Sequence, residues 1–154
     1  MAEPLLTFED FAPGEVVEYG DWLVDRDDML AFAREYDPQP MHLSEEAARE
    51  SMLGGLIASG WYTIALLMRI NCDHMLLHAA SLGAPGVESV EWLAPVRAGD
   101  RLRVRRTTLA TRPSKSRPEM GFVTFVFDVI NQDGVVAMRQ VNPVMLGRRD
   151  RSAA

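Results

Sequence analysis

The spacing of hydrophobic and polar positions changes once along this chain, from a helical period to a strand period. In the first half, Met29, Phe32, Ala33 and Tyr36 fall at i, i+3, i+4 and i+7, one apolar helical stripe. Asp25, with Asp28 three residues later, resembles a capping pair ahead of it. The stripe must stop near Tyr36, because Asp37 precedes Pro38 and a residue before proline is pushed out of the helical region. Ser44 followed by Glu45 and Glu46 has the pattern of a second helix start, with acids where the dipole favours them. A longer helix is predicted from about Ser59 to about His78. Trp61, Ile64, Ala65, Leu66, Leu67, Met68 and Ile70 occupy nearly every face of its first three turns, as expected of a helix enclosed by protein.

From Gly86 onward the period shortens. Val87–Val96, Arg101–Thr111, Met120–Ile130 and Val135–Leu146 are rich in β-branched and aromatic residues and read as strands. Glu15–Val24 is a further extended stretch. Ala98-Gly99-Asp100 and Gln132-Asp133-Gly134 are expected to turn two antiparallel hairpins. Basic and apolar residues alternate from Arg101 to Val104, as on a sheet with one wet face, and Val123, Phe125, Phe127 and Val129 form a stripe to be buried. A strand, two short helices, a long buried helix and about four antiparallel strands make an α+β pattern. The simplest packing wraps a curved sheet around the long helix.

Composition narrows the function classes. The 154 residues are 47% hydrophobic and 25% charged, suited to a single domain over residues 1–154 whose core runs from about Phe8 to Leu146 with flexible ends. A net charge of −6 argues against nucleic acid held on a broad basic surface. Cys72 is the one cysteine, so no intramolecular disulfide forms and a reducing compartment fits. The acidic N-terminus has no signal pattern, and the uncharged run from Met52 to Met68 is too short and too rich in glycine to span a membrane. A cytoplasmic protein without membrane contact is expected.

The chemistry concentrates in Asp37-Pro38-Gln39-Pro40-Met41-His42. Two prolines stiffen the backbone between a carboxylate and an imidazole, which are thus set on a rigid, non-helical loop. Such a pair can share a water molecule and move its protons, the equipment for adding water to a double bond or removing it. Asp-Pro can also simply end a helix while His42 satisfies a local backbone group, and these six residues leave both readings open.

Together with Ile57-Ala58-Ser59-Gly60 and Pro95-Val96-Arg97-Ala98-Gly99-Asp100, this segment resembles the MaoC-like hydratase/dehydratase family. The resemblance spans roughly Phe8 to Leu146 and implies a hot-dog fold, a sheet wrapped around a central helix. It implies a hydratase or dehydratase acting on an α,β-unsaturated acyl thioester, such as an acyl-CoA, with no cofactor. Asp37 and His42 match the catalytic dyad, and Gly60 matches the glycine whose N–H binds the thioester carbonyl. Family members also pair into hot-dog dimers, so a homodimer or an assembly of dimers is expected. Ser59 stands where the family motif has histidine, Gln39 replaces asparagine, and Met68 lies where some relatives carry a serine near the dyad. A small serine at 59 is expected to widen the pocket beside Gly60; the alternative is that it simply N-caps the central helix.

Other residues carry weaker signals. Trp61 is a candidate wall of the acyl pocket as well as a core tryptophan. Lys115 and Arg117, in the polar loop from Pro113 to Pro118, are candidate partners for the phosphates of a coenzyme A carrier. Arg101, Arg103, Arg105 and Arg106 are first of all a solvated strand face. His74 and His78 stand four apart beside Asp73, yet no third ligand accompanies them, and no metal site is expected. A silent acyl-thioester-binding module is the alternative to an enzyme. A hot-dog thioesterase is disfavoured, because no acid occurs from Leu53 to Cys72.

Overall fold

The computed structural model describes residues 5–149. In chain order the elements are β1 (Val16–Leu23), α1 (Arg26–Tyr36), α2 (Pro40–Leu43), α3 (Glu45–Arg49), α4 (Gly60–His74), β2 (Ser89–Trp92), β3 (Arg101–Pro113), β4 (Met120–Ile130) and β5 (Val136–Gly147). The strands form one antiparallel sheet in the order β1-β3-β4-β5-β2. Val123, Phe125, Phe127 and Val129 on β4 are fully buried, as their alternation required, with Leu102 and Val104 beside them on β3. From α4, Leu66, Leu67 and Ile70 join the same core. The expected α+β architecture, a sheet around a central helix, is the one observed.

Local chemistry fixes the approach of helix to sheet. β1 carries a bulge between Tyr19 and Trp22, and Gly20 within it has φ +90°. A Cβ at Gly20 would stand 2.7 Å from Ile70 Cγ2, so glycine serves both the left-handed backbone and the contact with α4. The opposite face of the sheet is held by charge. Glu18, Arg105, Asp128, Arg139 and Glu91 lie in one row across all five strands. Asp128 accepts from Arg139 Nε at 2.7 Å and from Arg105 at 2.9 Å. A one-residue slip would break this row and turn the apolar stripe outward, so it reinforces the register.

Four expectations are corrected. The Ala98–Asp100 turn does not close a hairpin between β2 and β3, because β2 pairs with β5 at the edge of the sheet. β2 ends at Trp92, where Leu93 and Ala94 N–H both donate to Ala137 O of β5; the chain then leaves the sheet, and Val96 O accepts from Ala58 N–H at 2.8 Å. α4 is not enclosed on every side. The sheet covers only one flank, leaving Trp61, Ala65 and Met68 exposed. It also ends at His74, and a separate 3₁₀ turn spans Leu76–His78. His74 stacks on Tyr19 while His78 bonds to Asp73 O, so the two rings do not form one helical pair. Arg106 is not on the wet face with Arg101, Arg103 and Arg105. It points inward, buried against Phe11, Tyr19 and Phe125, and is paired with Glu15 at 3.0 Å. Arg105 and Arg106 are adjacent, so a strand must send one of them inside. Among the described residues no helix is long and apolar enough to cross a membrane.

Candidate active site

Asp37 closes α1 as its C-cap, held by its own N–H to Ala33 O at 2.9 Å. Pro38 then turns the chain, and Pro40 opens α2 at its first position, where a missing N–H costs nothing. His42 therefore sits inside a one-turn helix rather than on the extended loop that two prolines suggested. The result is a sharp corner that points both side chains the same way. His42 Nε2 lies 3.3 Å from Asp37 Oδ2, with His42 buried and Asp37 nearly so.

The remaining contacts set proton positions. His42 Nδ1 is 3.0 Å from Ile57 O, and a carbonyl can only accept, so Nδ1 carries the proton. In the neutral ring Nε2 is then an acceptor, facing a carboxylate oxygen that is also an acceptor. Such a pair is satisfied by a shared proton, or by one water donating to both. Asp37 is itself tied down on both oxygens. Gln39 Nε2 donates to Oδ1 at 2.7 Å and Ser59 Oγ donates to Oδ2 at 2.6 Å. The Ser59 hydrogen bond, opposed by burial and aided by the Gln39 amide and the His42 charge, holds the Asp37 carboxyl below its ordinary value.

A cavity of about 480 Å³ opens on this corner, within the range of small-molecule sites. Asp37, His42, Gly60 and Thr63 face it among apolar walls that include Ile57, Trp61, Trp92 and Val96. Three of the first four amides of α4 are bound to Ser59: Trp61 N–H donates to its hydroxyl, and Tyr62 and Thr63 N–H donate to its carbonyl. Gly60 N–H has no partner among the described residues, as the first amide of a helix lacks an internal acceptor. It stands at the positive end of the helix dipole beside the dyad.

Of the residues singled out from sequence, Asp37, His42, Gly60 and Trp61 thus meet at one cavity. Ser59 reaches it differently from expectation. It is fully buried and off the cavity wall, where it N-caps α4 by accepting from Trp61 N–H and aims its hydroxyl at Asp37. Lys115 and Arg117 are not brought there within one copy of the chain. Their loop follows Pro113, whereas the cavity meets the sheet at Trp92, which is in register with Met138, Val129 and Val104. Nine residues of β3 separate that row from Pro113, about 30 Å of strand. Arg117 is paired with Glu119.

Arg97 has a part in the site that its place in a turn motif did not reveal. Its guanidinium donates to Leu53 O at 2.6 Å and to Leu56 O at 3.2 Å, holding the loop that presents Ile57 O to His42. Lysine cannot reproduce that two-pronged contact. If His42 takes part in the chemistry, Arg97→Lys and Arg97→Met are both expected to lower kcat about tenfold, since small displacements of a reacting group are costly. Steady-state kinetics on the folded variants check this, and wild-type kcat in both would refute it.

Comparison with known proteins agrees with the fold. The MaoC-like domain profile matches residues 10–125, and the chain belongs to this dehydratase family. The crystal structure of a MaoC-like dehydratase from Rhodospirillum rubrum superposes with a TM-score of 0.84 at 42% identity, covering 94% of this chain and 99% of that one. A 3-hydroxybutyryl-CoA dehydratase from Methylorubrum extorquens is 29% identical over 84% of this chain and 81% of its own length. A double hot-dog protein from Mycobacterium tuberculosis matches with a TM-score of 0.80 at 12% identity, over 96% of this chain and 46% of that one, a likeness of fold alone. The fold is a hot-dog fold.

Proposed function

We propose that this protein reversibly adds water to the double bond of an α,β-unsaturated acyl thioester, with coenzyme A as the carrier. The observation that carries this reading is the facing pair of acceptors, Asp37 Oδ2 and His42 Nε2, in the same cavity as the unpartnered Gly60 amide. A water donating to both acceptors is oriented and made more nucleophilic. Its oxygen bonds to Cβ of the substrate while one of its protons passes to the dyad. The electrons of the double bond move toward the thioester oxygen, where Gly60 N–H and the helix dipole meet the developing charge. The dyad returns a proton to Cα, completing the addition, and dehydration runs the same steps backwards. Among the described residues the only titratable side chains on the cavity wall are Asp37 and His42, so they act as one acid–base unit.

The apolar walls suit an acyl chain, and the Trp61–Trp92 edge-on pair, with centroids 5.9 Å apart, flanks the Gly60 amide. The test is a spectrophotometric screen for loss of enoyl-CoA absorbance across short, medium and branched chains. Turnover on at least one of them is expected. Thioester binding without turnover on any would instead favour a silent binding module.

The exposed flank of α4 also bears on assembly. Trp61, Ile64, Ala65 and Met68 with Phe32 and Tyr36 from α1 line an open apolar groove, and β2 leaves one sheet edge unpaired. A second copy paired through that edge would cover both, giving the homodimer. Sedimentation at micromolar concentration should show twice the 17.2 kDa chain mass or a multiple of that, and a monomer alone would refute it.

A further inference from the structure

We propose that Ser59 is a positioning residue for Asp37, using one hydroxyl to tie the carboxylate to the N-terminus of α4. The kinetic consequence rests on the hydratase reading above, whereas the geometry and its titration do not. Ser59 is completely buried, and a buried hydroxyl is costly unless it is bonded. It makes two bonds: it donates to Asp37 Oδ2 at 2.6 Å and accepts from Trp61 N–H at 3.2 Å. Neither direction can reverse, since an ionised carboxylate only accepts and a backbone amide only donates. Capping a helix needs only the second bond. The first is the shortest contact that Asp37 makes, and it falls on the oxygen that faces His42.

The consequence is geometric. Gln39 fixes Oδ1 and Ser59 fixes Oδ2, so the plane of the carboxylate has no freedom to turn away from His42 Nε2. Because Ser59 directly precedes Gly60, the same residue also sets the distance from the acid–base pair to the free amide. Histidine, which the family motif has at this place, carries no hydroxyl, so the bond from Ser59 Oγ to Asp37 is not one that the motif supplies. A hydrogen bond to the ionised form also favours it, and Asp37 lies below its ordinary value with Ser59 as the largest cause. His42 is the titratable group that faces Asp37, while its contacts from Gln39 and from Ser59 are neutral.

Ser59→Ala and Ser59→Gly separate positioning from capping, because glycine is itself a good N-cap and alanine is a poor one. The probe is carboxyl ¹³C NMR of protein carrying labelled aspartate, with the Asp37 resonance assigned by Asp37→Asn and titrated without substrate. Removing the hydroxyl removes a bond to the ionised form, so the Asp37 midpoint moves to higher pH in both variants. On an enoyl-CoA that the wild type turns over, kcat falls about 10- to 100-fold in both, below the largest losses seen when an acid–base group itself is removed. KM changes by less than about threefold, and the acid limb of kcat/KM moves to higher pH with the midpoint. An unmoved midpoint in Ser59→Gly overturns the proposal, as does a loss confined to melting temperature in Ser59→Ala. A wild type that hydrates no enoyl thioester would fail the hydratase reading alone, and the titration would still decide the role of Ser59.

Discussion

Replacing Asp37 by Asn or His42 by Ala should lower turnover by about 10²–10⁴-fold while leaving the fold intact, the scale of a general acid–base group. The two changes act differently on the corner. Asp37→Asn keeps the shape, but its single amide oxygen takes the place of only one of the two carboxylate oxygens that accept from Gln39 and Ser59, and it removes the negative charge next to His42 Nε2. His42→Ala removes the ring that joins Ile57 O to Asp37 Oδ2. If one water serves both groups, losing either partner leaves it unoriented. The double variant should then be little worse than the poorer single one, since residues that act as a unit are not additive. Single-turnover and steady-state rates on a demonstrated enoyl-CoA, with circular dichroism as the fold control, provide the measurement. Near wild-type turnover in either folded single variant would remove Asp37 and His42 from the chemistry.

How far the fold could be read depended on whether its cause was local. The helix α1, the cap at Asp25 and the inward run of β4 follow from neighbours in sequence, and the structure has each of them, although Tyr36 at the end of the α1 stripe is exposed. Strand pairing is not local. Ala98-Gly99-Asp100 does make a turn, with Gly99 at φ +91°, yet the chain entering it has already left the sheet to wall the cavity. Nothing in that tripeptide distinguishes a hairpin from a return out of a pocket loop. Arg106 shows the same limit at one residue. Its burial depends on Phe11, Tyr19, Phe125 and Glu15 converging from three separate segments.

The site divides along the same line. That Asp37 and His42 stand close together was legible because two prolines stiffen the few residues between them, whereas Gly60 was singled out by its likeness to the family motif. The clamp by Arg97 spans 41 and 44 residues, and the bond from Ser59 to Asp37 spans 22, so neither leaves a periodic trace. Lys115 and Arg117 show the converse. Basic residues in a polar loop have the right chemistry for phosphate, but their distance from the cavity is set by the length of β3, which no loop motif encodes.

The amide of Gly60 can be deleted without disturbing the backbone around it. Gly60 is the first residue of α4, where proline is favoured and the N–H has no helical partner to lose. Ser59 before it has φ −54° and ψ 138°, the extended conformation that a following proline demands. One obstacle remains, because a Cβ at position 60 would stand 2.5 Å from the indole of Trp92. Glycine therefore serves that close packing as well as the proposed approach of substrate, and Gly60→Ala alone would confound the two. Trp92 is half exposed on the edge strand β2, so Trp92→Ala should be tolerated and should clear the space. In that background, Gly60→Ala retains the donor and Gly60→Pro removes it, with a Cβ present in both. Turnover should be about 10²–10³-fold lower in the Pro variant, the usual loss for one oxyanion donor, with similar melting temperatures. Equal rates in the two double variants would exclude the amide as the group that receives the thioester charge, and the dipole of α4 would then have to act without it.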